Sequence, residues 1–113
     1  MNDALYPKPT RSLAEKRKAL APDAEAAFRT FSETVFRDGA LSAKTKQLVA
    51  IAVAHVTQCP YCIQGHTKEA RRRGASAEEI MEAIWVAAEM RAGAAYAHSA
   101  LALTALGEGG END

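Results

Sequence analysis

Residues 48–66 read LVAIAVAHVTQCPYCIQGH, and this stretch does most to decide the fold. Its first seven residues are all apolar, so they fit either a helix that is buried all round or a buried strand. The repeated alanines and the length of the run favour a helix. Cys59-Pro60 then restarts the chain, because proline suits the first position of a helix. We therefore predict a helix that is buried all round and leads directly into a second one.

The sequence before this stretch predicts two further helices. Ser12 is the expected cap of a short helix that ends near Leu20. Pro22 opens a longer helix, in which apolar residues recur at helical spacing until the chain turns near Asp38-Gly39. The helix of the deciding stretch then follows, over about residues 42–58.

The sequence after this stretch brings the expected total to about six helices. The helix that Pro60 opens ends at Arg73-Gly74, where basic residues and a glycine mark a C-terminus. Ser76 and Glu79 have the spacing of a capping box, so they begin a fifth helix. Gly93 is expected to be a break or a close contact before a sixth, alanine-rich helix. No hairpin signal occurs, so the predicted fold class is an all-α bundle.

Length and charge limit the class of protein. The 113 residues predict one domain over 11–106, between a flexible arm at 1–10 and a polar tail at 107–113. Lys+Arg and Asp+Glu both number 14, so no basic excess indicates nucleic acid as a partner. The N-terminus has no signal-peptide pattern and no apolar run is long enough for a bilayer. We therefore expect a cytoplasmic protein with no membrane partner.

Three of the predicted helices carry wide apolar faces, namely the third, the fifth and the sixth. A small bundle has little interior in which to bury them all, and exposed apolar surface of that extent usually marks an interface. The small residues at 92–95 would let two helices approach closely. We therefore expect a homo-oligomer.

The chain has only two cysteines, and they form the motif Cys59-Pro60-Tyr61-Cys62. With Pro60 as the first helical residue, Cys59 is the N-cap and Cys62 lies in the first turn. Backbone N–H groups and the positive end of the helix stabilise a thiolate there. His66 lies one turn beyond Cys62 on the same face and can take the proton of its thiol. The motif therefore predicts a redox-active disulfide that works without a cofactor.

Two other interpretations of the same residues stay open. The pattern H-x3-C-x2-C-x3-H is formed by His55, Cys59, Cys62 and His66. Four ligands on one helical stripe cannot easily surround a zinc ion, so we predict no metal site. Alternatively, the cysteines are inert core residues and His66 is structural. His55 is expected to be a half-buried neighbour of the pair, and His98 a packing or interface residue.

Two longer stretches resemble the AhpD-like branch of the carboxymuconolactone decarboxylase family. They are LSAKTKQLVA at 41–50 and HVTQCPYCIQGHT at 55–67, and the likeness extends over about residues 22–105. The resemblance implies an all-helical subunit that assembles into trimers or hexamers. It also implies a thiol peroxidase that reduces hydroperoxides and is recharged by a dithiol or a lipoylated-protein electron donor.

The resemblance also assigns roles within the site. By this likeness Cys62 attacks the peroxide and becomes a sulfenic acid, Cys59 resolves it as a disulfide, and His66 matches the family's histidine. The residues by themselves leave the order of the two thiols open, because the first thiol is the nucleophile in thioredoxin-like motifs. The position of His66 and the resemblance together favour Cys62 as the attacking residue.

The sequence departs from the family pattern at two positions. Gln47 stands where the family has its proton-relay glutamate, and Tyr61 stands where the best-studied peroxidases have a histidine. Glutamine cannot take up or release a proton at neutral pH. Peroxidase activity is therefore expected to be weak, or His55 and His66 carry the relay alone. The alternatives are a redox-sensing helical oligomer without enzymatic activity and a lyase of the carboxymuconolactone decarboxylase type.

Overall fold

The computed structural model describes residues 5–107, which form five α-helices. They are α1 (Arg11–Leu20), α2 (Pro22–Phe36), α3 (Ala43–Thr57), α4 (Pro60–Arg72) and α5 (Ala77–Ala105). No strand occurs among these residues, so the predicted all-α class is confirmed. Of the predicted arm, residues 1–4 lie outside the described residues, and so do residues 108–113 of the predicted tail.

The predicted break at Gly93 is wrong, and the chain accordingly has five described helices rather than six. α5 continues through this position for 29 residues in all. A glycine inside a helix costs only about 1 kcal/mol relative to alanine, and alanines on both sides favour the helical form. Within the described chain a Cβ at Gly93 would lie 3.5 Å from Oε2 of Glu89, which is an ordinary contact, and a close approach to another subunit at this position stays a prediction. No described helix, α5 included, is long and apolar enough to cross a membrane.

Capping side chains explain where two of the helices begin. Thr10 caps α1 in place of Ser12, because its hydroxyl accepts a hydrogen bond from the Leu13 N–H at 3.2 Å. The predicted capping box of α5 is confirmed. Ser76 Oγ accepts from the Glu79 N–H at 3.0 Å, and the Glu79 carboxylate accepts from the Ser76 N–H at 2.9 Å.

The chain divides into two compact units, one up to Ala43 and one from Lys44 onward. In the first unit α1 contacts α2, yet neither helix has a fully buried residue. Phe28 and Phe31 are 68% and 64% exposed, with ring centroids 6.4 Å apart. The single domain over residues 11–106 stays a prediction.

The core of the second unit lies where α3, α4 and the turn after α4 meet. Its buried members are Ile51, Ala70 and Ala75, against which Leu48, Ile80 and Ile84 pack. Two polar contacts join α5 to α3. Lys44 pairs with Glu79 at 2.9 Å, and the guanidinium of Arg91 donates to the Val56 carbonyl at 3.1 Å.

The prediction that α3 is buried all round is wrong for the single chain. Ile51 and Ala54 are buried, whereas Val49 and Val53 are 51% and 52% exposed. In a unit of three helices, neighbours cover only one side of α3. Its second apolar side is therefore open to solvent or to another subunit.

Candidate functional site

Cys59 lies in the turn between α3 and α4, where it helps to end the first helix and to begin the second. Its N–H donates to the Ala54 carbonyl at 3.2 Å, which ends α3 with a six-residue ring of the Schellman type. Gln58, at φ 59°, is the one non-glycine residue of the described chain with a positive φ. Cys59 Sγ then accepts a hydrogen bond from the Cys62 N–H at 3.3 Å and caps α4. The predicted N-cap at Cys59 and helix start at Pro60 are confirmed.

The two cysteines are free thiols in direct contact. Their sulfurs lie 2.7 Å apart and share a hydrogen bond, and both residues are half-buried. A hydrogen bond from the Cys62 thiol, followed by one from the Cys62 backbone N–H, lowers the pKa of Cys59. The same sulfur contact, together with burial, raises the pKa of Cys62. Cys59 therefore ionises more readily, whereas Cys62 needs a base before it can act as a nucleophile.

Gln47 and His66 form the second contact of the site. Gln47 comes from α3 and is the one buried polar residue of the described chain, with 5% exposure. Its Oε1 lies 2.7 Å from Nδ1 of His66 on α4. Because an amide oxygen only accepts, Nδ1 is the donor of this hydrogen bond. His66 follows Cys62 by four residues in α4, so the ring and the thiol share one helix face.

The other two expected neighbours of the cysteine pair are His55 and Tyr61. His55 is half-buried, and its Nδ1 donates to the Ile51 carbonyl of its own helix at 2.8 Å. Tyr61 contributes its backbone N–H to the lowered pKa of Cys59, while its side chain is 42% exposed.

The four residues weighed as zinc ligands are not arranged around a common point. In the part of the chain that the structure describes, no three His, Cys, Asp or Glu residues are placed to hold a metal ion. The Nδ1 atoms of His55 and His66 both face carbonyl oxygens instead.

Two features of the site surroundings escaped the sequence analysis. The left-handed Gln58 gave no signal, because such a position is usually glycine or asparagine. The sequence gives no signal for the role of Arg91 either, since its hydrogen bond to the Val56 carbonyl joins residues 35 positions apart. Both act on the end of α3 and so help to hold Cys59 in place.

Several known proteins are similar to this chain. A model of the carboxymuconolactone decarboxylase family matches residues 22–105. A Paracoccus denitrificans protein called uncharacterized protein 4 in the cox locus is 60% identical over 108 residues, 96% of either chain. A solved structure of a carboxymuconolactone decarboxylase family protein from Legionella pneumophila is 33% identical with a TM-score of 0.68, covering 86% of this chain and 87% of its own. A Thermotoga maritima family member, for which a part in the antioxidative response has been suggested, is 36% identical with a TM-score of 0.54, covering 57% of this chain and 66% of its own.

Proposed function

Because the chain belongs to the carboxymuconolactone decarboxylase family, we propose that it is a thiol-dependent peroxidase of the AhpD-like branch that reduces hydroperoxides. The observation that carries this proposal is the pair of sulfurs 2.7 Å apart at the start of α4. Two thiols at that separation need little movement to join in a disulfide. The antioxidative role suggested for the Thermotoga maritima relative is in line with such chemistry.

The oxidative half-reaction begins with a proton transfer. Nε2 of His66 takes the thiol proton of Cys62, and the Cys62 thiolate attacks one oxygen of the hydroperoxide. The O–O bond breaks, Cys62 becomes a sulfenic acid, and the leaving alkoxide takes the proton back from His66 to form an alcohol. Cys59 then attacks the sulfenic sulfur, water is released, and the disulfide forms.

The reductive half-reaction returns both thiols. A dithiol, by resemblance a lipoylated protein, attacks the disulfide, gives up two electrons and two protons, and leaves as its own disulfide. The Cys62 backbone N–H that meets Cys59 Sγ favours a thiolate at Cys59, which makes Cys59 the better leaving group, so the donor attacks the Cys62 sulfur. In this proposal the chain itself contributes only its two thiols and His66 to the cycle, and the external donor supplies the reducing dithiol.

We further propose that the subunits assemble as a trimer or hexamer. Positions 92–106 of the sequence hold no Asp, Glu, Lys or Arg. Tyr96 and Leu101 in this segment are 82% and 68% exposed in the single chain. A helix face of that kind is costly in water, and a second copy of the chain supplies the same apolar surface to cover it.

Peroxide consumption in the presence of a regenerating dithiol tests the proposed function. We expect repeated turnover by the reduced protein, and none by the double variant Cys59→Ser/Cys62→Ser. A single stoichiometric oxidation without turnover would contradict the enzyme and favour a redox-sensing oligomer. Failure of the thiols to react at all, together with lactone decarboxylation, would favour a lyase.

A further inference from the structure

Cys59 lies between two helix ends of opposite polarity. α3 ends at Thr57, so its last carbonyl groups and the negative end of its dipole lie next to the turn that contains Cys59. α4 begins at Pro60, so its first N–H groups and the positive end of its dipole lie on the other side. The start of α4 favours a thiolate at Cys59, whereas the end of α3 opposes one. The balance at this cysteine therefore depends on what meets the end of α3.

The carbonyl of Val56, in the last turn of α3, has no helical donor. In a continuing helix it would accept from the N–H of residue 60, but Pro60 has none, and Gln58 has already left the helical conformation at φ 59°. The Cys59 N–H serves an earlier carbonyl, and the N–H groups of residues 61 and 62 interact with the Cys59 sulfur. Within residues 59–62 no N–H group is therefore left for Val56.

Arg91, from α5, supplies a donor to this carbonyl. Its guanidinium donates to the Val56 carbonyl at 3.1 Å and keeps its positive charge throughout the pH range in which proteins are studied. His55 is a basic residue of the same last turn, but its Nδ1 bonds to Ile51 within its own helix. Arg91 thus places a permanent positive charge at the C-terminal end of α3, where a cation is favourable.

The position of Arg91 follows from the register of α3 and α5. Lys44 near the start of α3 donates to Glu79 near the start of α5 at 2.9 Å, and these residues are 35 positions apart, as Val56 and Arg91 are. Equal offsets at both ends mean that the two helices run in the same direction. The charge therefore reaches the end of α3 because of where α5 begins, and not because of the local turn.

We propose that Arg91 is a positioning residue for the cysteine pair, which neutralises the negative end of α3 beside Cys59 and holds the turn that leads into α4. The contact itself does not depend on the proposed function, whereas its effect on turnover rests on that function. With the end of α3 neutralised, the positive start of α4 acts on the Cys59 sulfur with less opposition. Cys59 is then the better leaving thiolate when the dithiol donor reduces the disulfide.

The pH dependence of alkylation tests this role in the full-length reduced protein. Iodoacetamide reacts with the thiolate, and fragmentation in the mass spectrometer assigns the label to Cys59 or Cys62. We expect Arg91→Met to slow alkylation of Cys59 about threefold at pH values below the pKa of this thiol, which is the size of a charge effect at a helix end. Arg91→Lys should restore most of the rate, because the ammonium group keeps the charge.

Arg71 provides the matched control. Its guanidinium also donates to a backbone carbonyl, that of Ala75 at 3.2 Å, but it lies in the last turn of α4, at the opposite end of that helix from the cysteines. Arg71→Met removes the same charge and the same kind of bond, so we expect the alkylation of Cys59 to stay as in the native protein. Circular dichroism verifies the fold of each variant, and Arg91→Gln replaces Arg91→Met if the methionine variant does not fold.

Three results would overturn the inference. They are an unchanged alkylation profile of Cys59 in folded Arg91→Met, an equal change in Arg71→Met, and an Arg91→Lys protein as slow as Arg91→Met. Peroxide turnover on the same samples separates this inference from the proposed function. A native protein without turnover, in which Arg91→Met still slows the alkylation of Cys59, contradicts the proposed function alone. A native protein that turns over, with a Cys59 profile that Arg91→Met leaves unchanged, contradicts the role of Arg91 alone.

Discussion

At the scale of single residues, the two thiols have different local environments although both belong to one motif. Cys59 is the helix cap with the lowered pKa, and Cys62 is the thiol one turn before His66. We expect Cys62→Ser to abolish peroxide consumption, because no thiol remains beside the base. Cys59→Ser should allow one oxidation and trap Cys62 as a sulfenic acid or a mixed disulfide. Mass spectrometry after one equivalent of peroxide shows which sulfur has gained oxygen.

The opposite pattern would reverse these roles. Oxygen on Cys59 in Cys62→Ser, with Cys62 inert in Cys59→Ser, would mean that the more acidic thiol attacks first. The lowered pKa of Cys59 would then mark the nucleophile, as in thioredoxin-like motifs, and not the resolving residue and leaving group.

Gln47 is the residue where a carboxylate can be restored. We expect Gln47→Glu to raise peroxidase turnover near neutral pH, because a carboxylate beside His66 can take up and release the proton. A gain of tenfold corresponds to about 1.4 kcal/mol of barrier. Steady-state kinetics at several pH values provide the measurement. A folded variant with an unchanged rate would show that no relay is missing.

At the scale of elements, two turns of the same kind differ in the residue at their left-handed position. Gly74 at φ 95° follows α4, where the Ala75 N–H donates to the Ala70 carbonyl at 2.9 Å, and Gln58 at φ 59° follows α3. A Cβ at Gly74 would meet no atom within 4 Å, so Gly74→Ala costs only backbone strain. We expect it to lower the free energy of unfolding by about 1–2 kcal/mol.

The matched substitution Gln58→Gly should act in the opposite direction. It removes the same strain at the turn before Cys59, but the added chain entropy of glycine offsets part of the gain. A small stabilisation, below about 1 kcal/mol, is therefore the expected net effect. Urea denaturation of both variants provides the comparison, and a destabilised Gln58→Gly would show that the glutamine side chain contributes contacts of its own.

The start of α5 should make stability depend on acid pH. The pKa of Glu79 is lowered, first by the Ser76 backbone N–H and then by Lys44. A carboxylate with a lowered pKa stabilises the fold at neutral pH, and this contribution is lost as pH falls through the acid range. We expect Glu79→Gln to reduce stability at pH 7 and to flatten the decline in acid. Glu78→Gln, at an exposed position in the same turn, is the control, and an equal effect of both changes would contradict this role.

The elements also show what the sequence can and cannot predict. Pro60, Ser76 and Glu79 gave correct helix starts, because capping and proline effects involve only neighbouring residues. The prediction at Gly93 was wrong because one glycine is a weak signal when alanines on both sides favour a helix. The pair Cys59 and Cys62 was recognisable from its spacing. The orientation of the bond between Gln47 and His66 was not, since it depends on how α3 packs against α4.

At the scale of the whole molecule, most buried residues of the described chain are small and many of its large apolar residues are exposed. Apart from Ile51, every buried hydrophobic residue of the described chain is an alanine, whereas Trp85 is 65% exposed. The proposed assembly would cover part of this exposed apolar surface. We expect light scattering at micromolar concentration to give a mass above that of the monomer.

A charge in the uncharged segment of α5 should break this assembly. Leu101→Glu places a carboxylate where a leucine is 68% exposed in the single chain. If a second copy covers this position, burial of the charge is costly and the assembly separates into smaller species. Leu101→Ala should weaken it less, because it removes apolar area without adding charge. A native monomer, or a Leu101→Glu protein of unchanged mass, would contradict the interface.

Cys59 both ends α3 and caps α4, and the capping bond also affects the reduction potential of the cysteine pair. The Cys62 N–H that meets Cys59 Sγ favours a thiolate more than a disulfide sulfur, so it stabilises the reduced form of the pair. A couple whose reduced form is stabilised has a higher reduction potential and is a stronger oxidant. The donor of that bond is a main-chain amide, which side-chain substitution leaves in place. The reduction potential of this pair relative to those of other cellular thiols is thus partly set by the backbone itself.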